Sequence, residues 1–103
     1  MVKLIVICPP EAQEQLLSVL AEAGLGQLGV YDSWSLASPV TETFRPLPGA
    51  EPHEGVIGQR TQVANRRLEF QCPDERWPEM VELICANHPY QSPAIEVIPL
   101  LYP

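Results

Sequence analysis

At 103 residues and a formal net charge of −7, the chain has room for one modest hydrophobic core, near the size at which a partner subunit adds appreciably to stability. Thirteen acidic residues against six basic ones exclude a nucleic-acid partner, because phosphate-backbone binding is driven by counterion release on lysine and arginine. An odd three cysteines at no metal-site spacing, no leader-like segment, and no apolar run near the roughly 20 residues that span a bilayer predict a soluble, cytoplasmic protein without membrane contact.

Residues 3–7 predict a first strand, apolar on both faces because Leu4 and Val6 alternate with Ile5 and Ile7, and therefore central. Pro9, Pro10 and Glu11 open a helix, since proline is tolerated in a first turn and an acidic residue complements the positive end of the dipole. Its buried stripe is Leu16, Leu20 and Ala23, and Gly24 and Gly26 supply its stop. Residues 28–36 alternate, with Leu28, Val30, Trp34 and Leu36 on one side and Tyr31, Ser33 and Ser35 on the other, which predicts a second strand. Residues 37–62 carry Pro39, Pro46, Pro48, Pro52, Gly49, Gly55 and Gly58 and predict a long excursion of the kind that is functional or packed against a partner.

Residues 67–72 predict the third strand, with Leu68, Phe70 and Cys72 facing one way. Asp74 caps a second helix, whose face is Trp77, Met80, Val81, Ile84 and Cys85, and whose Pro78 falls in the first turn. Pro89 forbids continuation and pushes His88 toward an extended conformation. Residues 95–101 close the chain as a fourth strand, again apolar on both faces.

The two halves repeat each other at an offset of 64 positions: Lys3-Leu4-Ile5-Val6-Ile7-Cys8-Pro9 aligns with Arg67-Leu68-Glu69-Phe70-Gln71-Cys72-Pro73. Behind them Leu16 aligns with Met80, Leu17 with Val81, Val19 with Leu83 and Leu20 with Ile84. Two strand–helix units that cannot bury an apolar face alone can share one sheet and one helical layer. The predicted class is α+β, a ferredoxin-like βαββαβ unit with an antiparallel sheet and both helices on one face, as a single domain over residues 1–103. The opposite face is then bare, although strands one and four offer it Ile5, Ile7, Ile98 and Leu100. A homo-oligomer that packs sheets together is the expected remedy, with trimer and dimer both open.

Several groups of residues have chemistry to offer. In this topology Cys8 and Cys72 end antiparallel neighbouring strands, about 17–20 Å apart, too far to share a disulfide or an ion. Cys85 reads as a small core residue. His88-Pro89-Tyr90 gathers an imidazole and a phenol where the long excursion can reach, and His53, Glu54, Glu42 and Glu51 could complete a metal or ligand pocket there. The same turn also reads as a helix breaker whose Tyr90 packs at an interface. Arg45 beside Phe44, with Arg60, Arg66 and Arg67, suits an anionic ligand, a neighbouring subunit's carboxylates or structural ion pairs. The glycines of residues 24–29 follow a helix rather than a strand, so a dinucleotide fingerprint fails on context. An RNA-recognition pattern on strand three, a two-cysteine metal loop and an acylphosphatase arginine are all missing, and no nucleophile, base and orienter assemble.

Gly24-Leu25-Gly26-Gln27-Leu28-Gly29-Val30-Tyr31, Thr43-Phe44-Arg45-Pro46-Leu47, Gly49-Ala50-Glu51-Pro52 with Gly55 and Gly58, and His88-Pro89-Tyr90 with Pro93 together resemble the domain inserted in many bacterial Nif-three-like (NGG-one-interacting-factor-three-like) dinuclear-metal proteins. The resemblance spans essentially the whole chain. It implies a fold similar to the PII signalling proteins and the CutA divalent-cation-tolerance proteins, and assembly as trimers through the sheets. It departs from the family at Gln91 and Ser92, where two acidic residues are common, and at residues 39–44, where a Gly-Thr-Gly-Thr-Phe run is common. The family's dinuclear metal centre lies in flanking domains, so no hydrolase activity carries over.

The expected function is a non-catalytic, oligomeric binding or regulatory module, with Tyr31, Phe44, Arg45, His53, His88 and Tyr90 as ligand or interface residues. The alternative is a CutA-type divalent-metal-binding protein that uses His53, His88 and nearby carboxylates; no other cofactor is expected. A weaker third idea is an enzyme with its site at subunit junctions.

Overall fold

The computed structural model describes residues 1–102. Its strands are β1 (Val2–Cys8), β2 (Leu36–Phe44), β3 (Thr61–Cys72) and β4 (Ile95–Pro99), and its helices are α1 (Gln13–Glu22) and α2 (Trp77–Ala86). The strands form one sheet in the order β2-β3-β1-β4 with every neighbouring pair antiparallel. This is the ferredoxin-like arrangement that the order of elements predicts.

The internal repeat is a repeat of structure. Each strand ends on a fully buried cysteine, Cys8 or Cys72, then proline, a single 3-10 turn and a helix of 10 residues. The 3-10 turns (Pro10–Ala12 and Asp74–Arg76) and the helices begin and end at the same offset of 64 positions. Leu16 and Leu20 in the first unit are buried where Met80 and Ile84 are in the second. Both helices lie on the sheet face that carries Leu4, Val6, Leu68 and Phe70, and with it they build one core. Leu4, Leu16, Leu20 and Leu68 are fully buried, each contributing about 1.5–3 kcal/mol over an exposed position. Cys8 lies opposite Arg66 and Cys72 opposite Val2, which places the two thiols at opposite ends of the sheet as the topology requires.

Several expectations are corrected. Residues 28–36 alternate in character but are not a strand. Leu28 and Tyr31 exchange backbone hydrogen bonds of 2.9 and 3.0 Å around a tight turn, and Trp34 N–H returns to Gly26 C=O at 2.8 Å. Positive φ at Gly29 and Ser33 breaks the extension that an alternating pattern needs. β2 instead occupies residues 36–44, inside the expected excursion; it lies at the edge of the sheet, where a proline such as Pro39 is tolerated. The connection between β2 and β3 is correspondingly short, residues 45–60 rather than 37–62. β4 ends at Pro99 rather than at residue 101.

Helix α2 buries a narrower stripe than its apolar residues suggest. Met80 and Ile84 are inside, whereas Trp77 and Cys85 are exposed, so Cys85 is a surface thiol and not a core residue. Asp74 makes no cap; its carboxylate meets the Met1 amino group at 2.8 Å. Ala23 is only half-buried.

The sheet face away from the helices is mixed rather than plainly apolar. Leu36, Glu69, Ile5 and Glu96 follow one another across the four strands, and Lys3 and Arg67 approach Glu69 at 3.2 and 3.8 Å. Ile5 is enclosed in the middle of this face while Leu36 and Ile98 remain exposed at its two sides. Beyond Arg66 the far end of β3 has only β2 as a partner, so this hairpin projects and the molecule measures 47 × 23 × 22 Å.

Candidate functional site

Where β1 ends, three connections converge. The chain leaves Cys8 through Pro9 and Glu11 into α1, the turn after α2 brings His88 and Tyr90 across, and the connection of residues 45–60 folds back from the projecting hairpin. That fold-back is held at its base by Gly58 N–H to Pro46 C=O, 2.8 Å. At its side, Glu51 N–H donates to Gln91 Oε1 at 2.9 Å.

His88 is fixed by the backbone on both sides. Its Nδ1 accepts the Tyr90 N–H at 3.0 Å, so the ring proton resides on Nε2, which donates to Ile7 C=O at 2.7 Å. The side chain is buried, and burial holds its pKa below the ordinary imidazole value. Its role is to lock the turn after α2 onto the end of β1. Tyr90 in turn packs against both imidazoles, with ring centroids 5.0 Å from His88 and 5.5 Å from His53.

Tyr90 also receives a hydrogen bond from a residue that sequence reasoning missed. Asn65 in β3 is 2% exposed, and its Nδ2 donates to Glu42 Oε1 at 2.6 Å and to Tyr90 Oη at 2.9 Å. The signal was an amide in the interior of a strand, a position that Asn rarely occupies for its own sake. Burial, with the nearby carboxylates, raises the Tyr90 pKa, so the phenol stays protonated. Its oxygen accepts from Asn65, which leaves its own hydrogen directed elsewhere.

Between the fold-back and this array lies a cleft of about 230 Å³, whose wall includes Glu42, Phe44, Glu51, His53, Glu54 and Tyr90. At its rim His53 Nε2 lies 3.4 Å from Glu11 Oε1, and Glu11, His53 and Glu54 bring one ligand atom each within 4.8 Å of one another. Its hydrogen bonds hold the Glu11 carboxyl below the usual range. The structure therefore joins four of the six expected site residues, Phe44, His53, His88 and Tyr90, though His88 stands behind Tyr90 and not in the wall. Arg45 is exposed beside the cleft and does not line it. Tyr31 is exposed in the tight turn that follows α1, at the opposite end of the sheet. Backbone groups engage both nitrogens of His88, and the carboxylates that stand beside His53 are Glu11 and Glu54.

No protein-family model matches the chain. A Bacillus subtilis protein named "GTP cyclohydrolase 1 type 2 homolog" is 33% identical over 95% of the chain, and a Mycobacterium tuberculosis protein of the same name is 34% identical over 98% of it. A Bacillus cereus protein related to NIF3 superposes with a TM-score of 0.84 at 29% identity over 97% of the chain. The chain is thus similar, over nearly its whole length, to NIF3-related proteins. It spans about a quarter of the length of these relatives, 26% and 27% of the two named proteins and 25% of the solved one. The fold of the chain is shared more widely. The divalent cation tolerance protein CutA from Archaeoglobus fulgidus superposes with a TM-score of 0.74 at 18% identity, covering 100% of this chain and 87% of that one. The PII-like protein CutA from Nostoc gives 0.73 at 20% identity, covering 98% and 82%. No helix among the described residues is long and apolar enough to cross a membrane.

Proposed function

We propose that this chain is a non-catalytic, oligomeric binding module whose ligand enters the cleft between residues 45–60 and the turn after α2. The observation that carries this reading is the buried amide of Asn65, which aligns Glu42 and Tyr90 side by side in the wall of a cleft closed by a tethered connection. A polar array inside a concave, partly apolar site is how small-molecule pockets obtain orientation and specificity. The non-catalytic part is supported by the groups that would have to react. His88 has both nitrogens engaged by the backbone, and burial pushes the Cys8 thiol up to about 11 and raises that of Cys72. Three free thiols suit a reducing, cytoplasmic setting. The exposed Leu36 and Ile98 on the open sheet face support association between copies.

A ligand-observed NMR screen of soluble metabolites tests the main reading. Binders are expected whose signals revert in Tyr90→Ala but not in Tyr31→Ala; a screen in which every binder ignores Tyr90→Ala removes the cleft as the site.

The cluster of Glu11, His53 and Glu54 favours a second reading, a divalent cation at the rim of the same cleft. One imidazole and two carboxylates suit zinc or copper, and the fold is shared with proteins named for divalent cation tolerance. Calorimetry with each ion expects binding that His53→Ala abolishes and His88→Ala preserves. Affinity no tighter than millimolar in the wild type rejects this second reading.

A further inference from the structure

Resting on the cleft reading above, we infer that its ligand is a small organic cation, an amine or guanidinium carried on a short apolar body. Charge is the first argument. Glu42, Glu51 and Glu54 line the cleft against the single imidazole of His53, and Glu11 lies at the rim beside that imidazole. Arg45, the nearest basic residue in sequence, stays outside the wall, so nothing in it is built to neutralise a carboxylate or phosphate ligand.

The polar atoms of the array are committed so as to leave an acceptor open. Asn65 binds Glu42 through Oε1, so the second carboxylate oxygen is free to accept from a ligand N–H. The carboxylate is held in place by a buried partner and needs little reordering on binding, which is how a fixed site outcompetes a mobile surface carboxylate for the same cation. Guanidinium and ammonium groups bring only donors, and this wall offers acceptors for them.

The apolar wall is the third argument. Phe44 and Tyr90 stand among the carboxylates, and aromatic rings beside acidic groups attract organic cations both through ring faces and through burial of their methylenes. A bare metal ion would gain nothing from these rings. The volume of about 230 Å³ falls below the roughly 300–1,000 Å³ of sites for drug-sized ligands, which restricts the occupant to a small molecule.

The test uses the whole chain, labelled with nitrogen-15, at physiological salt with a chelator present to silence metal ions. The probes are agmatine, which carries an amine and a guanidinium on a short chain, and glutarate, an anion of similar length. Agmatine is expected to shift the amide signals of Phe44, His53, Tyr90 and Gln91 along one saturable curve, while glutarate leaves them unmoved. Glu54→Gln, at an exposed position that folding does not need, is expected to weaken agmatine up to about fivefold. Glu42→Gln, which keeps an oxygen for Asn65, should weaken it about tenfold or more. If glutarate occupies the cleft and agmatine does not, the charge inference is overturned while the cleft reading stands. If agmatine binds there with unchanged affinity in both variants, or shifts acidic surface residues everywhere alike, the inference is equally overturned. If neither probe moves these signals and the metabolite screen also finds no binder dependent on Tyr90, both readings fall together.

Discussion

His88 illustrates how one side chain sets a measurable property of the fold. Its folded pKa lies below the ordinary value of 6.5 because burial disfavours the charged ring, outweighing the hydrogen bond to the Ile7 carbonyl, which favours it. Above that value neither the folded nor the unfolded chain binds the proton, and the contribution to stability is complete. As pH falls through it the unfolded chain protonates first, so stability is lost progressively below about pH 6.5. Urea midpoints measured from pH 8 to 5 should fall over the acidic half of that range, and His88→Gln should flatten the fall while lowering stability at pH 7 by about 1–3 kcal/mol. An unchanged slope in the variant would assign the effect to another group. Asn65→Ala should cost about 1–3 kcal/mol in the same assay, because Glu42 and Tyr90 both lose their donor. A cost within about 0.5 kcal/mol, the range of ordinary surface substitutions, would show that solvent replaces the amide.

At the scale of elements, the two strand–helix units are joined by more than their shared core. Arg76, in the 3-10 turn before α2, donates from Nη2 to Ala23 C=O at 2.7 Å, satisfying a carbonyl at the end of α1, while its Nε is held by Glu79 at 2.8 Å. Arg76→Ala should lower stability by about 1 kcal/mol, and Arg76→Lys should recover only part of it, because a lysine lacks the fork that reaches both acceptors. Equal midpoints for wild type and Arg76→Ala would remove this role. Gly26 is a harder constraint. Its φ is +91°, and a Cβ there would stand 2.6 Å from Trp34 N, so the backbone returning toward β2 leaves no room for a side chain. Gly26→Ala should cost more than the about 1–2 kcal/mol of a left-handed residue alone, visible as a large drop in melting temperature; a drop no larger than that of an exposed surface substitution would contradict it.

For the whole molecule the open sheet face is the decisive surface. A face that stays in water in an antiparallel sheet is normally polar, whereas here Leu36 and Ile98 are exposed on either side of the Lys3, Arg67 and Glu69 network. If copies associate through it, sedimentation equilibrium at micromolar concentration returns a multiple of the chain mass, and Ile98→Lys shifts the distribution toward the single chain. A single-chain mass at every concentration would falsify association. The charged network argues for a specific geometry, since a partner must meet both signs.

The repeat, the central apolar first strand, the class of fold and the position of both helices were legible in the residues because they follow from patterns of burial, most of which recur at a fixed offset. The residues expected to bear chemistry, Phe44, His53 and Tyr90, lie around the cleft between residues 45–60 and the turn after α2. Other features depended on partners distant in sequence. Whether residues 28–36 or 36–44 form β2 is decided by which backbone groups pair with β3, and an edge strand with a proline carries little local signal. That His88 fastens the turn after α2 to the end of β1 is decided by Ile7, 81 positions away. Asn65 gained its meaning only when Glu42 and Tyr90 were placed beside it. Periodicity records which face of an element is buried, and so it determined the architecture; hydrogen-bond partners are chosen in three dimensions, and so the site was decided by the tertiary structure.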